Sequence, residues 1–474
     1  MDENFLSRIQ FAFTASFHYI YPPISIGLGF MMVVLGICYL RTKNPEWREL
    51  SFFWVRIYGL VFALGIATGV VQEFEFGMNW ANYSRFVGNI FGSALAAEGI
   101  FAFFLEGGFL GLMLFGGERL GPRMWLLAVA LVAFGAHFSA IWIVIANSWM
   151  QTPSGYELGE GLRGTQVFMT DFFAVIFSPS FLPRIGHILV GAWLVGATMM
   201  LSVSAWYILR NRHVALARKN LLVTLPFFAL FSVLQMFVLG SQSAESVTEH
   251  QPAKLAAMEG IWETQSCAPM HLFGWVDEAN ETTYGLAVPC LLSFLAHGDI
   301  NATVTGLKDI PVDQRPPVNL TFQSYHIMIM LGGFFVALAI FSLAYYLWRR
   351  EKLFELRWLM WLFVLSILLS ELATMLGWWT AEIGRQPWLV YGLLRTIEGG
   401  SPGLTVEQLV FSLILFAFIY AILFVLFIYL LNAKIQHGPD PLDEKIEVSS
   451  LPDTFREVFG RRARAELVRS NDVD

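Results

Sequence analysis

Charge is what this chain has least of. Asp, Glu, Lys and Arg make up 14% of its 474 residues, where a soluble globular domain carries roughly 25%. An ordinary water-soluble enzyme is thereby excluded. The net charge of −7 includes no basic cluster, so nucleic acid is not expected as a partner. Cysteine is also sparse. Cys38, Cys267 and Cys290 form neither CxxC nor CxxCH, which removes a zinc ribbon and a c-type heme attachment. No small-residue cleavage site closes a short apolar region after Asp2, Glu3 and Arg8, so the first apolar segment is expected to stay as a helix. No internal repeat is evident, and an inverted-repeat transporter gains no support.

What the chain does have is apolar length. Hydrophobic residues make up 56%, with 43 Phe and 16 Trp, which suits lipid-facing and interfacial surfaces. A helical span needs about 20 apolar residues. Nine such stretches are present, at 15–40, 53–77, 93–117, 123–148, 185–209, 219–241, 323–348, 356–381 and 406–432. The expected fold is an all-α, polytopic helix bundle in a lipid bilayer. The chain divides into helices 1–6 (1–241), a large loop (242–321), helices 7–9 (322–432) and a charged tail (433–474).

Cations set the orientation. Arg41, Lys43 and Arg48, then Arg119 and Arg123, then Arg210, Arg212, Arg218 and Lys219, then Arg349, Arg350, Lys352 and Arg357 crowd the alternate short connections. The N-terminus is therefore expected outside, and the C-terminus and tail in the cytoplasm. Two long connections fall outside. Residues 149–184 include an apolar segment, Val167 to Phe177, expected along the interface. Residues 242–321 hold Lys254, Glu259, Trp262, Glu263, Cys267 and Cys290, and loops of this length are commonly functional. The two cysteines, in an oxidising compartment, either remain thiols or form a bridge worth about 3 kcal/mol in the chain-entropy model.

Ionisable groups inside spans cost several kcal/mol and are functional candidates. His18, His187, Met328 and Glu382 fall at similar depth on four helices, near the large loop. His, Met and carboxylate are plausible axial ligands for heme iron. Singly, each has a plainer reading: an interfacial hydrogen-bonder, a core filler, a paired surface carboxylate. Their shared depth raises the joint reading. Glu98 and Glu106 lie just over two turns apart, about 12 Å along the axis. Two buried carboxyls in series can relay protons; as the plainer alternative they are structural acids. His137, Ser139 and Asn147 are possible polar partners for them. Glu73 and Glu75 sit at the outer interface, where solvation suffices. Glu371 shares a face with Glu382 and has no assigned role.

The stretches SRIQFAFTASFHY, EFEFGMNW, AAEGIFAFFLEGG, SAIWIVIANSWMQTP, KLAAMEGIWETQ and GWWTAEIGRQPW, in this order on nine spans, resemble subunit I of the cytochrome bd quinol oxidases over residues 1 to about 432. The resemblance implies a heme-bearing subunit that oxidises quinol and reduces O2 to water, generating a proton motive force without pumping. It implies His187 and Met328 as the axial pair of low-spin heme b558. It implies His18 and Glu382 as ligands of heme b595 and heme d, with the pairing open. Lys254 and Glu259 match quinol-site residues, and Glu98, Glu106 and Ser139 match a proton pathway. Trp378 and Arg385 match residues near the hemes, Arg385 placed to neutralise a propionate. A smaller membrane subunit II and a short single-span subunit are implied as partners. The loop is of the short type. His326 stands where some members have Arg, Gly107 where some have Ser, and His137 resembles a variable position. The competing readings are a non-oxidase heme–quinol relative, a cofactor-free transporter and a structural membrane subunit.

Overall fold

A computed structural model of the chain describes residues 2–99, 104–117, 120–161 and 164–440. Residues 100–103 of the third expected span, Arg119 and the tail beyond 440 lie outside the described residues. Where a span was expected from residue 15, two helices stand, α1 (Glu3–His18) and α2 (Tyr21–Thr42). The junction falls at Tyr21-Pro22-Pro23, where proline lacks the N–H that would continue the ladder but suits a first turn. Ser7, Gln10 and Thr14 give α1 a buried polar side, which is why a hydropathy window starts too late.

Next come α3 (Pro45–Met78), α4 (Ala81–Ala97), α5 (Phe104–Phe115) and α6 (Pro122–Gln151). The connection after α6 is a hairpin, β1 (Tyr156–Gly161) with β2 (Gly164–Met169), and a short helix, α7 (Phe172–Ile176). The Val167–Phe177 segment is therefore not one interfacial stretch: Val167 is in β2 and fully buried beneath α4. Helices α8 (Phe181–Leu209) and α9 (Val214–Leu234) follow. A π turn at Gln235–Leu239 carries α9 straight into α10 (Gly240–His250), past the expected end at 241.

The large connection is folded. It holds α11 (Pro252–Glu259), a strand pair β3 (Gln265–Ser266) with β6 (Thr303–Val304), a hairpin β4 (Met270–Asp277) with β5 (Thr282–Val288), and α12 (Leu291–His297). Cys267 and Cys290 are bridged. A small core of Ala256, Ala257, Trp262, Val276, Leu307, Val318 and Phe322 seats α11 against the hairpin and the next span. That span, α13 (Val318–Arg349), is followed by α14 (Arg357–Ile383), the strand pair β7 (Trp388–Val390) and β8 (Leu394–Arg395), and α15 (Val406–His437).

Eight described helices are long and apolar enough to cross a membrane; the third expected span corresponds to α4 and α5 on either side of 100–103. Helix α8 is the axle. One face packs with α2 and α3 (Leu28, Met31, Trp54, Tyr58, Val195, Met199), the other with α9, α13 and α14 (Leu201, Phe228, Phe335, Phe363). Gly27 and Gly196 let α2 and α8 touch backbone to backbone, since a Cβ on Gly27 would sit 2.1 Å from the Ala192 carbonyl. Helix α15 is the opposite case, with Phe411, Ile414, Phe418 and Ile422 facing outward.

Candidate active site

The antiparallel packing brings the end of α6, the start of α8, the end of α14 and helix α11 to one level. Three donors converge there on Glu382. Asn147 Nδ2 donates to Oε1 at 3.0 Å, Gln151 Nε2 to Oε1 at 3.4 Å and Arg385 Nη2 to Oε2 at 2.5 Å. Arg184 donates to Asn147 Oδ1. Arg385 Nε donates to the Trp388 carbonyl at 3.3 Å, while its Nη1 is buried with no partner among the described residues. Asn147 thus serves Glu382 and Arg184, not the glutamates of the third span. His137 also turns away from those glutamates: Nδ1 meets the Ala133 carbonyl and Nε2 accepts from Trp193. Ser139 does pair with Glu98, its Oγ donating to Oε1 at 2.5 Å. Glu106 is buried on α5.

Helix α11 delivers Lys254 and Glu259 to the same level, both almost fully buried. Lys254 Nζ donates to Gln151 Oε1 at 2.6 Å. Burial pushes the Lys254 ammonium well below its ordinary pKa; Arg184 and Arg385 add to this and Glu382 opposes it. Burial pushes the Glu259 carboxyl up to about 8, and its Oε2 has no hydrogen-bond partner among the described residues. Gly260 ends α11 with φ +65°, the left-handed cap that glycine tolerates, and its carbonyl accepts from Thr283 of β5 at 2.6 Å. The hairpin thereby fixes where Glu259 stands. His326 lies below it. Its Nδ1 faces the Phe322 carbonyl at 2.9 Å and its Nε2 the His271 carbonyl at 2.7 Å. A neutral imidazole carries one N–H, so the ring donates to only one of these two carbonyls.

The four proposed ligand residues come from four helices: Glu382 lies in the last turn of α14, Met328 packs on that helix at Gly377, His18 closes α1 and His187 lies near the start of α8. Trp378 stacks on Tyr19, next to His18, with ring centres 5.6 Å apart. Met328 Sδ lies 2.9 Å from where a Cβ on Gly377 would be. His187 follows Arg184 by one turn of α8, and Arg184 reaches Glu382 through Asn147. The sequence reading missed Gln151, whose amide joins the loop to α14. It also misjudged Glu75, which is buried, accepts from Thr14 at 2.8 Å and Gln10 at 3.4 Å, and ties α1 to α3; Glu73 is exposed.

Fold and site define an integral membrane protein whose chemistry is gathered at one end of its bundle. The family model for cytochrome bd terminal oxidase subunit I matches residues 6–439. The chain is 37% identical over 471 residues to the cytochrome bd ubiquinol oxidase subunit 1 of Bacillus subtilis, covering 97% of this chain and 99% of that one. It is 32% identical to the cytochrome bd-II ubiquinol oxidase subunit 1 of Escherichia coli, covering 93% and 98%. The solved bd oxidase from Geobacillus thermodenitrificans superposes with a TM-score of 0.86 at 32% identity, covering 92% of this chain and 99% of that chain. The chain belongs to the cytochrome bd terminal oxidase subunit I family.

That family binds heme, and the donor set here fits it. Among the described residues no three His, Cys, Asp or Glu side chains converge to hold a metal ion by themselves, whereas heme iron needs only one or two axial ligands from protein. Thr68 commits its hydroxyl proton to backbone carbonyls at 2.8 and 3.2 Å, so it accepts from His18 Nδ1 at 2.9 Å. This sets the tautomer that leaves the His18 Nε2 lone pair for a metal. His187 Nδ1 is buried with no partner among the described residues, and Arg184 Nε and Arg385 Nη1 are likewise orphaned. Such donors suit a propionate.

Proposed function

We propose that this chain is the heme-bearing subunit of a quinol:oxygen oxidoreductase that oxidises quinol, reduces O2 to water and builds a proton motive force without pumping. The observation that carries the reading is the polar network that Asn147, Gln151 and Arg385 build on Glu382, with Arg184 Nε, His187 Nδ1 and Arg385 Nη1 left without a partner among the described residues, in a chain matched over 97% of its length by a relative. His187 and Met328 would hold heme b558, and His18 and Glu382 would hold heme b595 and heme d. When bound, the hemes supply the one-electron chemistry and the place where oxygen is reduced.

The chain's own residues do the rest. Residues 242–321 form the quinol site. Glu259, kept largely protonated near neutrality by its burial, accepts a quinol hydroxyl proton in its ionised fraction, and Lys254 orients the head group. Arg385 and Arg184 hold negative charge beside Glu382. Glu106 and Glu98, with Ser139 as hydrogen-bond partner, take protons inward from the cytoplasmic side. The cation-rich connections support a cytoplasmic side opposite the quinol loop, with the N-terminus outside and the C-terminus inside. Release at one face and uptake from the other separates charge. The outward face of α15 is available to lipid or to the smaller membrane subunits that the family implies.

The test is a dithionite-reduced minus oxidised visible spectrum of the detergent-purified complex, with a pyridine hemochrome assay. A low-spin b signal with a separate far-red chlorin band, and quinol-dependent oxygen uptake, is the expected outcome. A b-type spectrum without the chlorin band points to the non-oxidase relative or to heme b in the last site. A folded preparation with no heme sinks the reading.

A further inference from the structure

Gln151 is the last residue of α6 and is 1% exposed. Its side-chain amide has two N–H donors and one oxygen with two lone pairs, and all are spent. The oxygen accepts from Lys254 Nζ at 2.6 Å and from Gln251 Nε2 at 3.0 Å. The nitrogen donates to the Ala381 carbonyl at 3.2 Å and to Glu382 Oε1 at 3.4 Å. The amide cannot be turned over, because its oxygen would then face the Ala381 carbonyl and the Glu382 carboxylate, which have no proton to donate. Gln251 also donates to the Gln151 backbone carbonyl at 2.9 Å, so helix α11 grips the end of α6 at two points. One amide therefore bridges the lysine of the large loop and the glutamate at the end of α14.

We propose that Gln151 is a positioning residue that couples the quinol-binding loop to the Glu382 heme site. The proposal rests on the reading of Lys254 as a quinol-site residue and Glu382 as a heme ligand. Gln151's oxygen side holds Lys254 in place to meet a quinol oxygen. Its nitrogen side holds the Glu382 carboxylate and the last turn of α14. Glutamine fits this post for a reason of charge. Glutamate would keep the acceptor for Lys254 but face Glu382 with a like charge and no donor. Methionine, of similar length, would serve neither.

The two sides of the amide can be tested apart in the full complex, with ubiquinol-1 and menaquinol-1 as quinol probes and the heme spectrum as an activity-free readout. Gln151→Met should raise the KM of the preferred quinol about tenfold, the effect of a lost hydrogen bond to a charged group. It should also shift or deplete the high-spin heme signals while the b558 band stays. Gln151→Glu should keep KM within a few-fold of wild type yet disturb the high-spin signals at least as much as Gln151→Met. That split is what a merely structural role would not produce. If Gln151→Met fails to fold, with the b558 band also lost, Gln151→Glu decides alone. Wild-type KM and spectra in Gln151→Met, or parallel change or no change in both readouts for Gln151→Glu, overturn the proposal. Glu382→Ala separates the two failures. Full heme content in that variant sinks the ligand assignment, whereas heme loss there with a silent Gln151→Met sinks only the role of Gln151.

Discussion

Two glutamates on one helix have opposite surroundings. Glu382, at the end of α14, takes hydrogen bonds from Asn147, Gln151 and Arg385. Glu371, eleven residues earlier, has both carboxyl oxygens buried with no partner among the described residues. The first is a site that the polypeptide assembles by itself, with charges of both signs already placed. The second is a polar group that the polypeptide encloses and then leaves alone. The same residue type on the same helix face thus carries different information. A pre-assembled network says where the protein has committed binding energy, while an orphan marks a place where the polypeptide itself supplies no partner.

The largest test of this contrast is removal of Glu382. Glu382→Ala leaves Arg385 buried beside an empty place and deprives Asn147 and Gln151 of an acceptor. Breaking a buried pair from one side costs about 3–5 kcal/mol. A thermal melt followed by near-UV circular dichroism should show that loss, together with depletion of one high-spin heme signal. An unchanged melting temperature would mean that the network is not held as the structure has it.

Glu259 gives the next effect, through pH. Its carboxyl is pushed up to about 8 by burial, so below that value it is mostly protonated and only its shrinking ionised fraction can accept. If it takes the quinol proton, kcat/KM for quinol rises up to tenfold per pH unit as pH climbs to about 8 and then levels off. Glu259→Gln should lower the rate and flatten that limb. The same shift sets a stability trend. Folding favours the neutral acid, so its contribution is intact below pH 4.5 and declines as pH rises through about 8. A rate limb that survives in Glu259→Gln would move the proton acceptor elsewhere.

Ser139→Ala is smaller. It removes the one hydrogen bond that Glu98 receives from Ser139, and about 1–3 kcal/mol is the usual penalty for leaving a buried acceptor unmet. Oxygen reduction should slow several-fold with b558 still visible. Normal turnover would make Ser139 a packing residue and weaken the case for Glu98 as a conduit.

Most of the helical frame was legible because an apolar run of span length has few other solutions in water or lipid. The polar helix α1 and the folded loop were not legible. Gln10 and Thr14 look like surface residues until Glu75 and Ser412 are seen against them. The loop's order comes from the bridge, from Gly260 and from pairing between distant strands. His18, His187, Met328 and Glu382 could be selected as ionisable or sulfur groups at one depth. Gln151 could not, since an uncharged amide before Thr152-Pro153 reads as an ordinary helix end. Only its tertiary partners distinguish it. The tie of Asn147 to Glu382 rather than to the third span was hidden for the same reason.

The smallest expected effect completes the contrast. Glu371→Leu removes a carboxyl that has no protein partner among the described residues, so no donor is orphaned and the cost of enclosing a polar group is relieved. Leucine fills most of the same space, and stability of the heme-free protein should change by less than about 1 kcal/mol or rise. The comparison with Glu382→Ala then separates two kinds of burial on one helix, because that variant loses stability with or without heme. If Glu371→Leu instead melts several degrees lower only when heme is loaded, the bound group supplies the missing partner. In that case the apparent orphan belongs to the same site as Glu382, seen from its unfilled side.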